Sequence, residues 1–121
     1  MKYLMLICWD AERMDAQSER AHTEPDPTDT ADTEFFRWLD EVQKQGIWVA
    51  GDQLAPPHQA RSVRVRGRKT LVTDGPFAET KEAIGGFDIL ECGSLEEAVE
   101  IAAGHPAAQT GTIEVRPLWG N

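Results

Sequence analysis

The sequence has few of the residues that bind metals or form disulfides. Its 121 residues include only two cysteines and three histidines, with no Cys-x-x-Cys pair and no Cys/His zinc spacing. Cys8 and Cys92 each lie inside an apolar run, where a free buried thiol is the commoner state. No apolar run approaches the 18 residues of a membrane-spanning helix. We therefore expect a cytoplasmic protein with no cofactor, no metal and no membrane partner.

Basic residues are also scarce and unevenly placed. Lys and Arg number 12 against 21 Asp and Glu, for a net charge of −9. Residues 10–41 hold eleven acids and three bases, whereas residues 61–69 hold five bases and no acid. Because phosphate repels an acidic chain, we predict no nucleic-acid partner. The basic run is expected to be the solvated face of an edge hairpin, or else a contact for an acidic partner such as a second copy.

Apolar patterning predicts one domain covering residues 1–121. The start, "MKYLMLICWDAE", has the apolar run of a short signal peptide but no small-residue cleavage site, and it is expected to form a buried strand. Residues 32–45 have helical periodicity, with Asp32 as the expected N-cap and Gly46 after the last turn. Ser94 and Glu97 have the spacing of a capping box at the start of a second helix.

The remaining segments alternate apolar and polar residues, as strands do. In "RSVRVRGRKTLVTDG", Gly67-Arg68 can form a two-residue turn between paired strands. The order β, α, β, hairpin, β, α, β predicts an α+β fold, a ferredoxin-like antiparallel sheet with helices on one face. We expect that Ile7, Trp9, Trp48 and Ile113 cannot all face two helices. A bare apolar sheet face is rarely tolerated, which predicts a homodimer whose sheets form a barrel.

Four segments carry a family resemblance: "KYLMLI", "GIWVAGDQL", "VRVRGRKTLVTDGPFAETKEAIGGFDIL" and "EVRPLW". Together they resemble the DGPF-motif proteins, a branch of the YCII-related family, from residue 1 to about residue 119. The resemblance implies a dimeric α+β barrel and a bacterial protein without an assigned activity. Some members resemble accessory partners of extracytoplasmic-function sigma factors, which implies a protein partner.

The resemblance also implies where catalytic residues would be expected. YCII-type members are thought to use a His early in the first helix and an Asp just before a Pro after the second helix. In this chain the first position falls at or near Phe35, and the second falls on His105, before Pro106. Since the His–Asp pair is absent, its chemistry does not carry over.

The stretch "DGPFAETKE" supplies most of the candidate site residues. Pro76 restricts its own backbone and that of Gly75, so the loop is expected to be stiff enough to cover a pocket. Its alternative role is purely architectural, with a solvated charged tip. The ligand-binding candidates are Asp74, Phe77, Lys81 and Glu82, and the catalytic candidates are His105 and Glu79.

His105 follows the end of the second helix, where a protonated imidazole is favoured. A metal site built from His105, Asp74 and the loop carboxylates has no supporting spacing, and none is predicted. Three functions stay open. The first is a small-molecule-binding homodimer with a pocket near the DGPF loop. The others are a regulatory or protein-interaction module and a cofactor-free enzyme that uses His105 or a loop carboxylate.

Overall fold

The structure is a computed structural model that describes residues 1–10, 30–76 and 82–120. Six strands and three helices follow one another in the described chain. They are β1 (Lys2–Asp10), α1 (Thr30–Lys44), β2 (Trp48–Gln53), β3 (Arg61–Arg66), β4 (Lys69–Asp74), β5 (Glu82–Glu91), α2 (Leu95–Ala103), α3 (Ala107–Thr110) and β6 (Thr112–Pro117), with a single 3-10 turn at Pro57–Gln59.

Four of the strands form one antiparallel sheet in the order β2-β5-β1-β6. With the β3–β4 hairpin set aside, this is the strand order of a ferredoxin-like fold, in which each helix connects two strands that do not neighbour each other. The predicted α+β class and the antiparallel sheet are therefore confirmed. Strands β3 and β4 pair with each other as a separate two-stranded sheet.

The core lies between one face of the sheet and the two longer helices. Alternate residues of β1 are buried, and Tyr3, Met5 and Leu90 are the largest fully buried side chains. Trp38 and Val42 of α1 pack on them, together with Ala98 and Ala102 of α2. The helices thus cover a single face of the sheet, as predicted, because α1 and α2 each present one apolar stripe.

Of the four residues that are not expected to face the helices together, at least Ile7, Trp48 and Ile113 do so. Ile7 pairs directly with Ile113, and directly opposed residues share a face, so both lie on the helix side with Met5. Trp48 is also there, since its indole reaches Asp88, the partner of Met5. The other face carries four half-buried apolar side chains instead, Leu4, Leu6, Phe87 and Ile89.

The predicted helix ends are partly correct. Ser94 Oγ accepts the Glu97 N–H at 3.1 Å, as the capping box requires. The Glu97 carboxylate, however, accepts the N–H of Gly93 at 2.9 Å instead of that of Ser94. Asp32 is not the N-cap of α1, because the helix begins at Thr30 and Asp32 lies in its first turn. Gly46 has the expected positive φ, +71°.

The hairpin turn is the one predicted. Gly67 and Arg68 have φ values of +56° and +69°, as a two-residue type I′ turn requires. The basic residues are exposed, and so are the valines between them, with Val63 at 63% and Val65 at 58%. Among the described residues, β3 and β4 pair only with each other, so alternation here does not divide a buried face from a solvated one.

Candidate functional site

His105 is a buried histidine in the turn that joins α2 to α3. Its backbone N–H donates to the carbonyl of Ala102 at 3.0 Å, which continues the last turn of the helix. The side chain is only 3% exposed. Its Nδ1 accepts the backbone N–H of Ala107 at 3.0 Å, at the start of α3. The short helix α3 begins two residues after His105, and the N–H of its first residue therefore holds the imidazole in place.

Two aromatic rings of α1 enclose the imidazole. The Trp38 ring lies edge-to-face with His105 at a centroid distance of 4.7 Å, and Phe35 does so at 5.5 Å. Trp38 is held in place because its Nε1–H donates to the carbonyl of Ile101 at 2.9 Å. The two positions at which the family's His–Asp pair would be expected, Phe35 and His105, are therefore in contact in this chain.

Burial leaves His105 uncharged at neutral pH. Desolvation lowers its pKa from 6.5 to about 4, which outweighs the helix-end effect that would favour a protonated ring. Because Nδ1 accepts a hydrogen bond, the proton of the neutral ring is on Nε2. Nε2 is buried and has no hydrogen-bond partner among the described residues. His105 thus presents an unused N–H donor rather than a base.

A second unused donor belongs to Trp9, near the end of β1. Its Nε1 is also buried without a partner in the described part of the chain. Trp9 packs on the turn between α3 and β6: a Cβ added at Gly111 would lie 2.7 Å from Trp9 Cδ1 and 2.3 Å from the Cys8 carbonyl oxygen. Glycine is needed there because any side chain would collide with β1. The same close contact brings Trp9 to the segment that follows His105.

Asp88 is a buried carboxyl that the sequence reasoning missed. It is 6% exposed, and its Oδ1 accepts the Trp48 Nε1–H at 2.9 Å. Burial raises its pKa from 3.8 to about 6, although the Trp48 bond acts in the opposite direction. A Cβ at Gly51 would lie 2.2 Å from Oδ1, so this glycine leaves room for the carboxyl. In the sequence, the signal for this buried carboxyl is a single acid inside the apolar run "GGFDIL".

The DGPF stretch lies only partly within the described residues. Asp74 ends β4, is exposed, and forms an ion pair with Arg61 at 3.1 Å. Gly75 has a positive φ of +88° and donates its N–H to the Ala60 carbonyl at 2.8 Å, which begins the turn. The candidates Phe77, Glu79 and Lys81 lie outside the described residues.

Glu82, the last candidate, is exposed at the first position of β5 and pairs with Asp10. The neighbouring pair joins Ala83 to Trp9. The chain therefore leaves the DGPF loop at the end of the sheet where Trp9 lies. Within residues 1–10, 30–76 and 82–120, no group of three or more His, Cys, Asp or Glu side chains could hold a metal ion. No described helix is long and apolar enough to span a membrane.

Comparison with known proteins gives one family and one fold. The family model described as the YCII-related domain matches residues 1–120. An uncharacterised protein of Rhizobium meliloti (strain 1021) is 46% identical over 94 residues, which cover 72% of this chain and 75% of that protein.

A solved structure with a similar fold is TftG, the 5-chloro-2-hydroxyhydroquinone dehydrochlorinase of Burkholderia phenoliruptrix AC1100, in complex with 2,5-dihydroxybenzoquinone. The match has a TM-score of 0.52 and 11% identity, and it covers 100% of this chain and 96% of TftG. At that identity, the likeness shows the fold alone.

Proposed function

This chain belongs to the YCII-related family, and we propose that it is a bacterial, cytoplasmic small-molecule-binding protein of the DGPF-motif branch that works as a homodimer. The observation that carries the proposal is the buried Nε2–H of His105, which has no partner among the described residues. A buried donor left unsatisfied costs about 1–3 kcal/mol, so a fold retains one where a ligand or water completes the bond.

The surroundings of His105 indicate which ligands would suit the site. Phe35 and Trp38 offer aromatic surface, and Trp9, which packs on Gly111 in the segment after His105, carries a second buried N–H donor. The unused groups are neutral donors, so the matching ligand is flat and carries carbonyl, phenolic or carboxylate oxygens. TftG was solved with a quinone of this kind, which agrees with the proposal without assigning that compound to this chain.

The DGPF loop is proposed to lie at the edge of the site formed by His105 and Trp9. Glu82, the last residue of the DGPF stretch, begins β5 beside the pair that contains Trp9. Phe77 and Lys81 would contact the ligand from the loop. Asp74 would act at the loop's other end, where it pairs with Arg61 as the chain leaves β4.

The second candidate function is a cofactor-free enzyme, which the buried Asp88 favours. A carboxyl with a pKa of about 6 can give or take a proton near neutral pH. His105 would then donate a hydrogen bond to an oxygen that gains negative charge, because its proton lies on Nε2. Glu79 would supply a further carboxylate from the loop. Turnover in the wild type that disappears in Asp88→Asn would separate this candidate from simple binding.

The homodimer is proposed from the sheet face that the helices leave uncovered. Leu4, Leu6, Phe87 and Ile89 lie together on this face and are only half buried. Pairing two such faces removes apolar surface from water, at about 25 cal/mol per Å². A mass close to 13.5 kDa in light scattering at micromolar concentration would contradict the dimer.

A thermal-shift screen of planar oxygen-bearing metabolites at pH 7 tests the binding site. A ligand at a hundred times its dissociation constant stabilises the native state by about 2.7 kcal/mol, or roughly 10 °C for a domain of this size. His105→Phe keeps an aromatic ring, removes the Nε2–H, and should abolish the shift. Lys81→Ala should reduce it.

Arg66→Gln is the control for this screen, since Arg66 is exposed on the hairpin and its guanidinium binds its own strand. It should leave the shift unchanged. An equal shift in wild type and His105→Phe would refute the site. If no compound raised the melting temperature, the result would favour the remaining alternative, a regulatory module that binds a protein such as a sigma factor.

A further inference from the structure

The β3–β4 hairpin, residues 61–74, has an apolar face that no described element covers. Val63 pairs directly with Val72, and Val65 lies beside them on the same face. These three side chains are 63%, 58% and 58% exposed. A two-stranded hairpin is marginally stable in water by itself, and adjacent exposed valines form a surface that proteins usually cover on association.

The hairpin is held firmly at its base. Gly75 donates its N–H to the Ala60 carbonyl at 2.8 Å, and Ser62 Oγ donates to the Gly75 carbonyl at 2.8 Å. Arg61 and Asp74 pair across the two strands at 3.1 Å. A type I′ turn closes the other end. The hairpin is therefore a preformed element, and ordering it costs little when it binds.

Its charge is opposite to that of the remaining chain. Residues 61–74 carry five basic side chains and one acid, a charge of +4. Since the net charge of the whole chain is −9, the rest carries −13. Exposed acids are available on both long helices, including Glu41 of α1 and Glu96 and Glu100 of α2. A second copy of this chain therefore offers the hairpin an acidic surface, and the charges of the two surfaces are complementary.

We propose that, in the homodimer, each hairpin packs as an arm on the other subunit, with its valine face against apolar surface and its opposite face, which carries Arg64, Arg66 and Lys69, against acidic side chains. The inference rests on the homodimer of the proposed function and adds a second contact to the sheet face. Nucleic acid and an anionic membrane fit less well, because the net charge of −13 beyond the hairpin would repel both.

Sedimentation velocity over a dilution series tests the valine face. Val63→Thr combined with Val65→Thr keeps the β-branched shape and strand propensity, and it should raise the dimer dissociation constant about tenfold or more. Leu54→Thr is the matched control, because Leu54 is 43% exposed and lies outside the hairpin, just after β2. It should change the dissociation constant less than twofold.

The contribution of charge is measured by repeating the series from 50 to 500 mM NaCl. Arg66→Gln with Arg68→Asn should flatten the rise of the dissociation constant with salt, since exposed pairs are screened. Asparagine is chosen because residue 68 has a positive φ of +69°. Unchanged melting temperatures would show that these variants fold.

Cross-linking tests directly whether the hairpin contacts a second copy of this chain. Unlabelled and ¹⁵N-labelled protein are mixed, equilibrated and treated with a carbodiimide, which joins amines to carboxylates with no spacer. Lys69 should give mixed-isotope links to carboxylates of the other copy. Lys44, which pairs with Asp40 of its own helix at 2.8 Å, should give unmixed links.

The outcomes separate the arm from the dimer itself. A monomeric wild type overturns both proposals. A dimer whose dissociation constant is unaffected by the valine changes, or whose Lys69 links never mix isotopes, overturns the arm alone and leaves the sheet-face dimer standing.

Discussion

Replacement of Asp88 by asparagine should reveal a pH dependence of stability that the wild type conceals. Burial raises the pKa of Asp88 from 3.8 to about 6 and lowers that of His105 from 6.5 to about 4. Between pH 4 and 6, the folded chain keeps a proton on Asp88 that the unfolded chain has lost. Over the same window, the unfolded chain holds a proton on His105 that the folded chain lacks. The Asp88 contribution to stability therefore falls as the pH rises, and the His105 contribution increases.

The contributions of Asp88 and His105 to the free energy of unfolding change with pH by nearly equal and opposite amounts. One pKa unit corresponds to about 1.4 kcal/mol, so each group changes the free energy of unfolding by about 3 kcal/mol across the window. Neither shift has the charge of the other group among its causes, so the two contributions should add. In the wild type they cancel. In Asp88→Asn the His105 slope remains and stability rises from pH 4 to pH 6, whereas in His105→Asn it falls.

Urea unfolding at half-unit steps from pH 4 to 7, with fixed ionic strength and protein concentration, measures these slopes. Asparagine suits both sites, because its oxygen can accept the Trp48 N–H at position 88 and the Ala107 N–H at position 105. The double variant, with both Asp88→Asn and His105→Asn, should again show a free energy of unfolding that changes little between pH 4 and 6. Asp40→Asn, which removes an exposed carboxylate, is the control and should follow the wild type. Profiles of wild type, Asp88→Asn and His105→Asn that stayed parallel would refute the reasoning.

Three further predictions concern single contacts, each measured by thermal or urea unfolding. Ser94→Ala removes the N-cap of α2 and should cost about 1 kcal/mol, or roughly 4 °C; Ser94→Asp should restore it, and equal stability of all three would contradict the capping role. Gly111→Ala places a methyl group 2.3 Å from a backbone oxygen and should cost more than about 2 kcal/mol, whereas Gly93→Ala meets only the flexible Glu97 carboxylate and should cost less. Trp38→Phe removes the bond to the Ile101 carbonyl and should cost about 2 kcal/mol; because the smaller ring covers less of the imidazole, the pKa of His105 should move back towards 6.5 in NMR titration, and an unchanged pKa would show that Trp38 does not shield the imidazole.

Local features of the fold could be predicted because their causes lie within a few residues. The type I′ turn at Gly67-Arg68, the N-cap at Ser94 and the left-handed Gly46 each follow from the residue type at one position. The element order followed from periodicity. Which residues share a sheet face did not, because that depends on strand pairing. Ile7 is opposite Ile113, which lies more than a hundred residues further along the chain.

The chemistry of the site was also beyond the sequence. His105 was expected to be charged because it follows a helix end, yet Phe35 and Trp38, contributed by a different helix, remove the water that a charged ring requires. Asp88 was overlooked because its depth depends on how β2 and β5 pair around Gly51. The family resemblance did locate Phe35 and His105 as corresponding positions, and they do touch.

The separation of the hairpin from the main sheet has a consequence for folding. Lys2 pairs with Glu91 in the sheet, whereas hairpin partners are at most 13 residues apart. Closing the short loop takes microseconds, but the central strands must wait for a slow, entropically costly closure of most of the chain. The hairpin can therefore form before the main sheet, and in the dissociated monomer its amide hydrogens should exchange through local opening long before those of the core strands.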